Sequence, residues 1–158
     1  MARPIKWRRI ENIPTVTAFV PSDEVSSDLV ANTLLFEELE AIRLKDLVGL
    51  EQEECAIRME VSRPTFQRIL LSARKKIADS LVNAKGIQIE GGTYTRNICD
   101  VMCTTCGKKW RESYENLKNI KSGEYLCPTC QSNAIVCIED KTGRFCRGNC
   151  WRHGQNRR

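Results

Sequence analysis

Four of the nine cysteines in this 158-residue chain fall in two CxxC pairs, Cys103 and Cys106 in MCTTCGKKW and Cys127 and Cys130 in YLCPTCQSN. Each pair presents two sulfurs on one tight turn. Two such turns supply the four thiolates that Zn2+ takes tetrahedrally, without ligand-field preference or redox change. The 20 residues between Cys106 and Cys127 leave room for strands that bring the second turn back to the first. Gly107 can adopt the positive φ that lets neighbouring amides point at sulfur, whereas Gln131 holds the equivalent place in the second turn. The spacing predicts a zinc ribbon whose metal is structural, because so small a unit buries too little to fold unaided and four thiolates leave no open position. An iron–sulfur cluster takes the same donors and is the alternative occupant.

The remaining thiols carry weaker signals. Cys146, Cys150 and the single histidine, His153, could supply three ligands of a second metal site, with Cys137 or Cys99 as the fourth. A C-x3-C-x2-H run is not a common ribbon knuckle, however, and its Arg- and Gly-rich surroundings read as a flexible tail. Cys137, inside AIVCI, and Cys55 are expected to be small core residues, and Trp110 is expected to pack over the ribbon. Enzymatic chemistry finds little support: there is no HExxH, no phosphate-cradling glycine loop, no thioredoxin-like surround for a redox dithiol and no three-ligand metal site with a general base. The expectation is a protein that is not an enzyme.

A second constellation runs from Gly49 to Ile77, GLEQEECAIRMEVSRPTFQRILLSARKKI. With Gln52 at the first position of a helix-turn-helix, small Cys55 and Ala56 fall where the helices cross, and Met59, Val61, Phe66 and Ile69 fall at the burying positions. Ser62 can cap the second helix, and Pro64 sits in its first turn, where a missing N–H is tolerated. The stripe Phe66, Ile69, Leu70, Ala73, Ile77, Leu81 has helical spacing. It leaves Arg63, Thr65, Gln67 and Arg68 on or near the outward face of the early turns, which in such readers enter the major groove. Gln67 and Arg68 are the candidate base contacts, and Arg74, Lys75 and Lys76 the candidate phosphate contacts. Glu60 holds the turn position usually given to glycine, where a left-handed backbone costs a side-chain-bearing residue about 1 kcal/mol. The alternative is a helical hairpin with a solvated basic face.

Several stretches carry a resemblance. RP-x-K-W-R-R (Arg3 to Arg9), EELEAIRLKDLVGL (Glu37 to Leu50), VSRPTFQRILLSARKKIADSL (Val61 to Leu81) and IEGG (Ile89 to Gly92) make residues 1–92 similar to the prokaryotic domain-of-unknown-function family 134, whose members are predicted DNA-binding proteins. The helix-turn-helix also resembles the promoter-reading fourth region of sigma factors. The resemblance implies binding to double-stranded DNA without naming a target. Leu35 stands where the family usually places Thr or Ser, so the EELEAIRL helix is expected to start without that cap.

These motifs need supporting elements. A helix over 36–47, ended by Gly49, joins helices at about 51–59 and 63–83 in a trihelical unit. Residues 24–33 read as a short helix or loop, and Ile87 and Ile89 before Gly91-Gly92 suggest a brief strand and a hinge. The opening segment, with Pro4 and Pro14, reads as an extended basic arm in which Arg3, Lys6, Arg8 and Arg9 follow phosphate or enter the minor groove. The alternative is an ordered strand. The expected fold is thus a mainly α N-terminal trihelical helix-turn-helix domain with its arm (1–92), a small β zinc-ribbon domain (93–140) and a basic Cys-containing tail (141–158).

The net charge of +5 is segregated: residues 1–20 carry +3, 21–62 carry −8, 63–98 carry +5 and 99–158 carry +5. The sign changes where the second helix begins, which suits an acidic support behind a basic, polyanion-facing surface. No apolar run approaches the ~18 to 20 residues of a membrane span, and no secretory core follows the basic start, so a cytoplasmic location is expected. Three functions fit: a sequence-specific transcriptional regulator, for which a homodimer on two half-sites is one expected arrangement; a metal- or redox-responsive regulator sensing through the C-terminal cysteines; and an adaptor contacting the transcription machinery.

Overall fold

The computed structural model describes residues 5–23, 28–120 and 122–138, which divide between two compact units, Arg8–Tyr94 and the remainder from Thr95 on together with the residues before Arg8. The first unit opens with β1 (Arg8–Arg9), β2 (Ala18–Phe19) and β3 (Ala31–Leu34), followed by α1 (Phe36–Ile42) and a π-helical turn, Arg43–Leu47. Then come α2 (Gln52–Arg58), α3 (Arg63–Val82), β4 (Gly86–Ile89) and β5 (Tyr94–Thr95), within which the units divide.

Local chemistry sets the helix ends. Leu35 offers no cap for α1; instead the Leu35 N–H donates to Glu38 Oε2 at 2.9 Å, half of a capping box. The π turn closes through Val48 N–H to Arg43 C=O at 2.9 Å, and Gly49 leaves it at φ 84°. Glu60, between α2 and α3, has φ 53°, so the turn keeps its left-handed backbone without glycine. Ser62 Oγ accepts from the Thr65 N–H at 3.3 Å at the start of α3.

Ala41, Leu44, Cys55, Ala56, Met59, Phe66 and Leu70 form one buried cluster where α1, α2 and α3 meet. Cys55 is a core residue there, and desolvation raises its thiol pKa. Leu34, Ala73 and Ile89 form a second cluster between α3 and a sheet. Leu81, expected on the buried stripe, is 77% exposed; Ser80 is buried in its place, with its Oγ accepting from Asn32 Nδ2 at 2.9 Å.

That sheet corrects the expected fold class. The first unit is not simply a helical bundle: its strands order β2-β4-β3, with β3 parallel to β4 from Ala31 opposite Gly86 to Leu34 opposite Ile89, and β2 antiparallel to β4. Of the described residues 34% are helical and 22% are in strands, a mixed α/β fold rather than a mainly α one. The physical reason is that, β4 with its Ile87 and Ile89 apart, the partner strands of two and four residues show no alternation. The parallel pair also closes only after the whole helical segment has crossed over.

The second unit contains β6 (Ile98–Cys103), β7 (Lys109–Ser113), α4 (Tyr114–Lys118) and β8 (Ile135–Cys137). β6 is the central strand, antiparallel to β7 and to β8, with Val101 opposite both Trp110 and Cys137. Cys99, Val101, Cys103, Trp110, Leu117, Cys127 and Ile135 form its core. Cys137 is buried, and Trp110 packs into the unit with its Nε1–H donating to Tyr125 Oη at 3.1 Å. Tyr125 Oη in turn donates to the buried Glu112 carboxylate. Among the described residues no helix is long and apolar enough to cross a membrane.

Two carboxylates are expected to make the first unit acid-sensitive. Lys85 (2.8 Å), Asn32 (2.8 Å) and Asn83 (2.7 Å) donate to Asp79 and hold it well below the usual carboxylate range, as Arg74 does for Asp46. Both pKa values are depressed in the folded state, so their stabilisation is complete above the unfolded value near 3.9 and is lost as pH falls toward the folded values. Urea unfolding compared between about pH 5 and about pH 3 is expected to show a smaller loss for Asp79→Asn than for the parent chain. Equal losses would place the acid sensitivity elsewhere.

Candidate functional site

Two CxxC turns with one geometry build the cysteine site. In the first, the Gly107 N–H donates to Cys103 C=O at 2.9 Å and the Cys103 N–H to Lys108 C=O at 2.9 Å; in the second, Gln131 donates to Cys127 at 3.0 Å and Cys127 to Ser132 at 2.9 Å. The fifth residue of each turn is left-handed, Gly107 at φ 73° and Gln131 at φ 60°, so the side-chain-bearing residue follows the path of the glycine. Thr104 N–H to Ala134 C=O at 2.8 Å and the Thr105 to Ser132 hydroxyl contact at 2.9 Å hold the turns together.

The outcome is a cluster of Cys103, Cys106, Cys127 and Cys130 whose sulfurs all lie within 4.8 Å of one another. Cys103 Sγ is 3.6 Å from Cys130 Sγ, and Cys106 Sγ is 3.7 Å from Cys127 Sγ. Four sulfurs at ~2.3 Å from one ion would sit about 3.8 Å apart in a tetrahedron, so this donor set fits a metal of zinc's size. Burial pushes the Cys103 thiol up, but the Cys106 and Thr105 amides and the neighbouring thiols outweigh it and bring it to about 6. The Ser132 amide favours the Cys130 thiolate, yet desolvation and the adjoining sulfurs leave it up at about 12. A cation is what allows sulfurs this close to be anionic together. Cys103 and Cys127 are buried, while Cys106 and Cys130 reach the surface. Cys146, Cys150 and His153 lie outside the described residues.

The second candidate site is the outward face of α3. Phe66, Leu70 and Ala73 are buried, which turns Arg63, Gln67, Arg68 and Lys75 to solvent. Thr65 is half-buried; its Oγ1 contacts Ser62 Oγ at 2.8 Å and accepts from Arg68 Nη2 at 3.4 Å. Arg63 Nη1 is 3.6 Å from Glu53 Oε1. Arg74 and Lys76 are differently placed. Arg74 donates through Nη2 (2.5 Å) and Nε (3.1 Å) to the two oxygens of Asp46, and Lys76 Nζ donates at 2.7 Å to Glu38, which is 4% exposed and also accepts from Ser72 Oγ at 2.6 Å. These two cations tie α3 to the acidic α1 and π turn.

Of the N-terminal basic residues, Arg3 lies outside the described residues and Lys6 is exposed. Arg8 and Arg9 are half-buried in β1, where the Arg8 N–H donates to Thr93 C=O at 3.0 Å and the Arg9 N–H to Met59 C=O at 2.8 Å. The segment at Arg8 is thus an ordered strand rather than a loose arm. Leu71 is the residue of the α3 face that periodicity passed over: it is 69% exposed, with Gln67, Arg68, Arg74 and Lys75 at its helical neighbour positions.

The family profile described as protein of unknown function DUF134 matches residues 1–97. A UPF0251 protein of Caldicellulosiruptor saccharolyticus is 47% identical over 158 residues spanning all of both chains. One of Caldicellulosiruptor bescii is 49% identical over 153 residues, 97% of each chain, and one of Clostridium botulinum is 44% identical over 158 residues, all of this chain and 94% of the relative. No solved structure matches. With a profile covering more than half its length and relatives aligned along nearly all of it, the chain belongs to the DUF134/UPF0251 family.

Proposed function

We propose that this protein is a sequence-specific DNA-binding transcriptional regulator, in which α2, the Glu60 turn and α3 act as a helix-turn-helix and the cysteine unit is a zinc ribbon with a structural ion. The observation that carries the reading is the α3 surface: a cap and an early proline start the helix, one face is locked into the core, and the other offers Arg63, Gln67, Arg68 and Lys75 to solvent. Gln67 and Arg68 have the fork-shaped or amide donors that distinguish base edges, and Lys75 supplies a phosphate contact. Arg74 and Lys76 serve mainly to hold α3 on its support, which narrows the phosphate contacts inferred from sequence. A single short reader gives few contacts, so the reading carries a homodimer on two half-sites, working in the reducing cytoplasm where the thiols keep their metal.

The test is selection of duplexes from a random DNA pool at physiological salt with metal-replete protein. An enriched motif is the expected result; no enrichment by folded, metal-loaded protein would overturn the reading and favour an adaptor contacting the transcription machinery. On the enriched duplex, Arg68→Ala is expected to weaken specific binding by on the order of tenfold or more, and random-sequence binding far less. Lys75→Ala should weaken both alike. Equal losses on both duplexes for Arg68→Ala would remove that residue from base reading.

A second reading, a metal- or redox-responsive regulator, is favoured by the surface position of Cys106 and Cys130. It requires DNA affinity to change when the metal is withdrawn by a chelator and to return with Zn2+. Unchanged affinity across that cycle would leave the ion purely structural.

A further inference from the structure

The acidic–basic partition accounts for the charged residues of α3 but not for Leu71. Soluble domains do leave single leucines exposed, yet Leu71 occupies a particular place. The positions three and four residues to either side of it on a helix are Arg68, Gln67, Arg74 and Lys75, of which Arg74 is held by Asp46, so Leu71 stands beside the outward donors Gln67, Arg68 and Lys75. The core stripe of the same helix, Phe66, Leu70 and Ala73, is buried on another face, whereas Leu71 is 69% exposed. It is therefore not a frayed edge of the core stripe. Resting on the DNA-reading proposal above, we infer that Leu71 is a specificity-determining residue that packs against the 5-methyl group of thymine in the major groove.

The geometry and the chemistry agree. Leu71 lies eight residues after Arg63, about 12 Å along the helix, on the face that carries Gln67 and Arg68, and a ~12 Å-wide major groove admits an α-helix. The one apolar feature on the major-groove edge of an unmodified base pair is the thymine methyl, and an aliphatic side chain is what senses it. Gln67 and Arg68, one turn earlier, carry donors for adenine and guanine edges. The face as a whole is thus a mixed reader in which polar contacts select purines and Leu71 selects a thymine beside them. Covering one methyl is worth about fourfold in affinity.

The experiment uses the full-length, metal-loaded chain and the duplex it enriches from a random pool. Each thymine of that duplex is replaced singly by deoxyuridine, which removes the methyl and leaves base pairing intact, and binding is measured for the parent chain and for Leu71→Ala. Because the residue is exposed, the variant should keep the parent's circular dichroism and unfolding midpoint. The expected result is one or two positions at which uracil weakens the parent about fourfold and leaves Leu71→Ala unchanged. If uracil at every position affects both proteins equally, Leu71 does not read thymine and the inference falls while the DNA-reading proposal stands. If the parent chain enriches no duplex, both fall together.

Discussion

Replacing Cys103 with serine is expected to cost the chain its bound metal and to unfold the unit beginning at Thr95, while the helical signal of Arg8–Tyr94 persists. The reason is the balance of forces in that unit. Its core consists of Cys99, Val101, Trp110, Leu117 and Ile135 with two of the candidate ligand cysteines themselves, Cys103 and Cys127. That is a small apolar store for a fold of three short strands and one turn-length helix. On the proposed zinc-ribbon reading, apparent binding free energies of about 10–16 kcal/mol for structural Zn2+ make metal affinity and folding of such a unit one equilibrium. Metal analysis, limited proteolysis and far-UV circular dichroism on the full-length variant measure the three parts of this expectation. A variant that keeps one metal per chain and the parent's cleavage pattern would show that the cluster does not hold the unit together.

Phe66→Ala should be the most damaging single change in the helical part. Phe66 is 0% exposed, in the cluster that joins α1, α2 and α3, and truncating a buried phenylalanine typically costs about 3–5 kcal/mol through lost transfer energy and the cavity left behind. Against a total stability of about 5–15 kcal/mol for a domain, that is enough to populate the unfolded state substantially. Urea unfolding followed at a helical wavelength should show the midpoint fall sharply. Leu71→Ala, five residues along the same helix, should move it by less than about 0.5 kcal/mol because its side chain is exposed. A small loss for Phe66→Ala would mean that α3 is not seated on α1 and α2 through this residue, and the orientation of Gln67 and Arg68 would lose its basis.

The contrast between these two residues separates the buried face of α3 from the outward face on which the proposed DNA reading rests. One turn of α3 carries both the side chain that fixes the helix and the side chains that fixing it presents. Arg74 with Asp46 and Lys76 with Glu38 add charged ties between α3 and its support. The Lys76 tie is the more consequential, because Glu38 is buried and also accepts from Ser72 and from the Leu35 N–H. Removing one partner there would strand a buried carboxylate, whereas the exposed Arg74–Asp46 pair is screened by solvent.

What the amino-acid order determined by itself was whatever local spacing controls. The CxxC pairs announced two matched turns, Gly107 and Glu60 marked left-handed positions, Ser62 and Pro64 marked the start of α3, and the spacing of Phe66, Leu70 and Ala73 marked its buried face. Each of these is a property of a few consecutive residues, because turn closure, capping and helical periodicity act over at most a few positions. Only the tertiary structure decided the rest. Of the sheet β2-β4-β3 only β4 carried a pattern, in Ile87 and Ile89, and its parallel pairing with β3 forms across the entire helical segment. Arg74 and Lys76 look in sequence like outward basic residues of α3 until Asp46 and Glu38, 28 and 38 positions away, are brought beside them. Leu81 turned outward and Ser80 inward because the sheet, not the helix alone, chooses which side of the last turn is covered. Leu71 reads as one more apolar residue in sequence and becomes a candidate contact only when the fold buries its neighbours and leaves it in the open, since exposure is a property of the assembled surface and not of the residue.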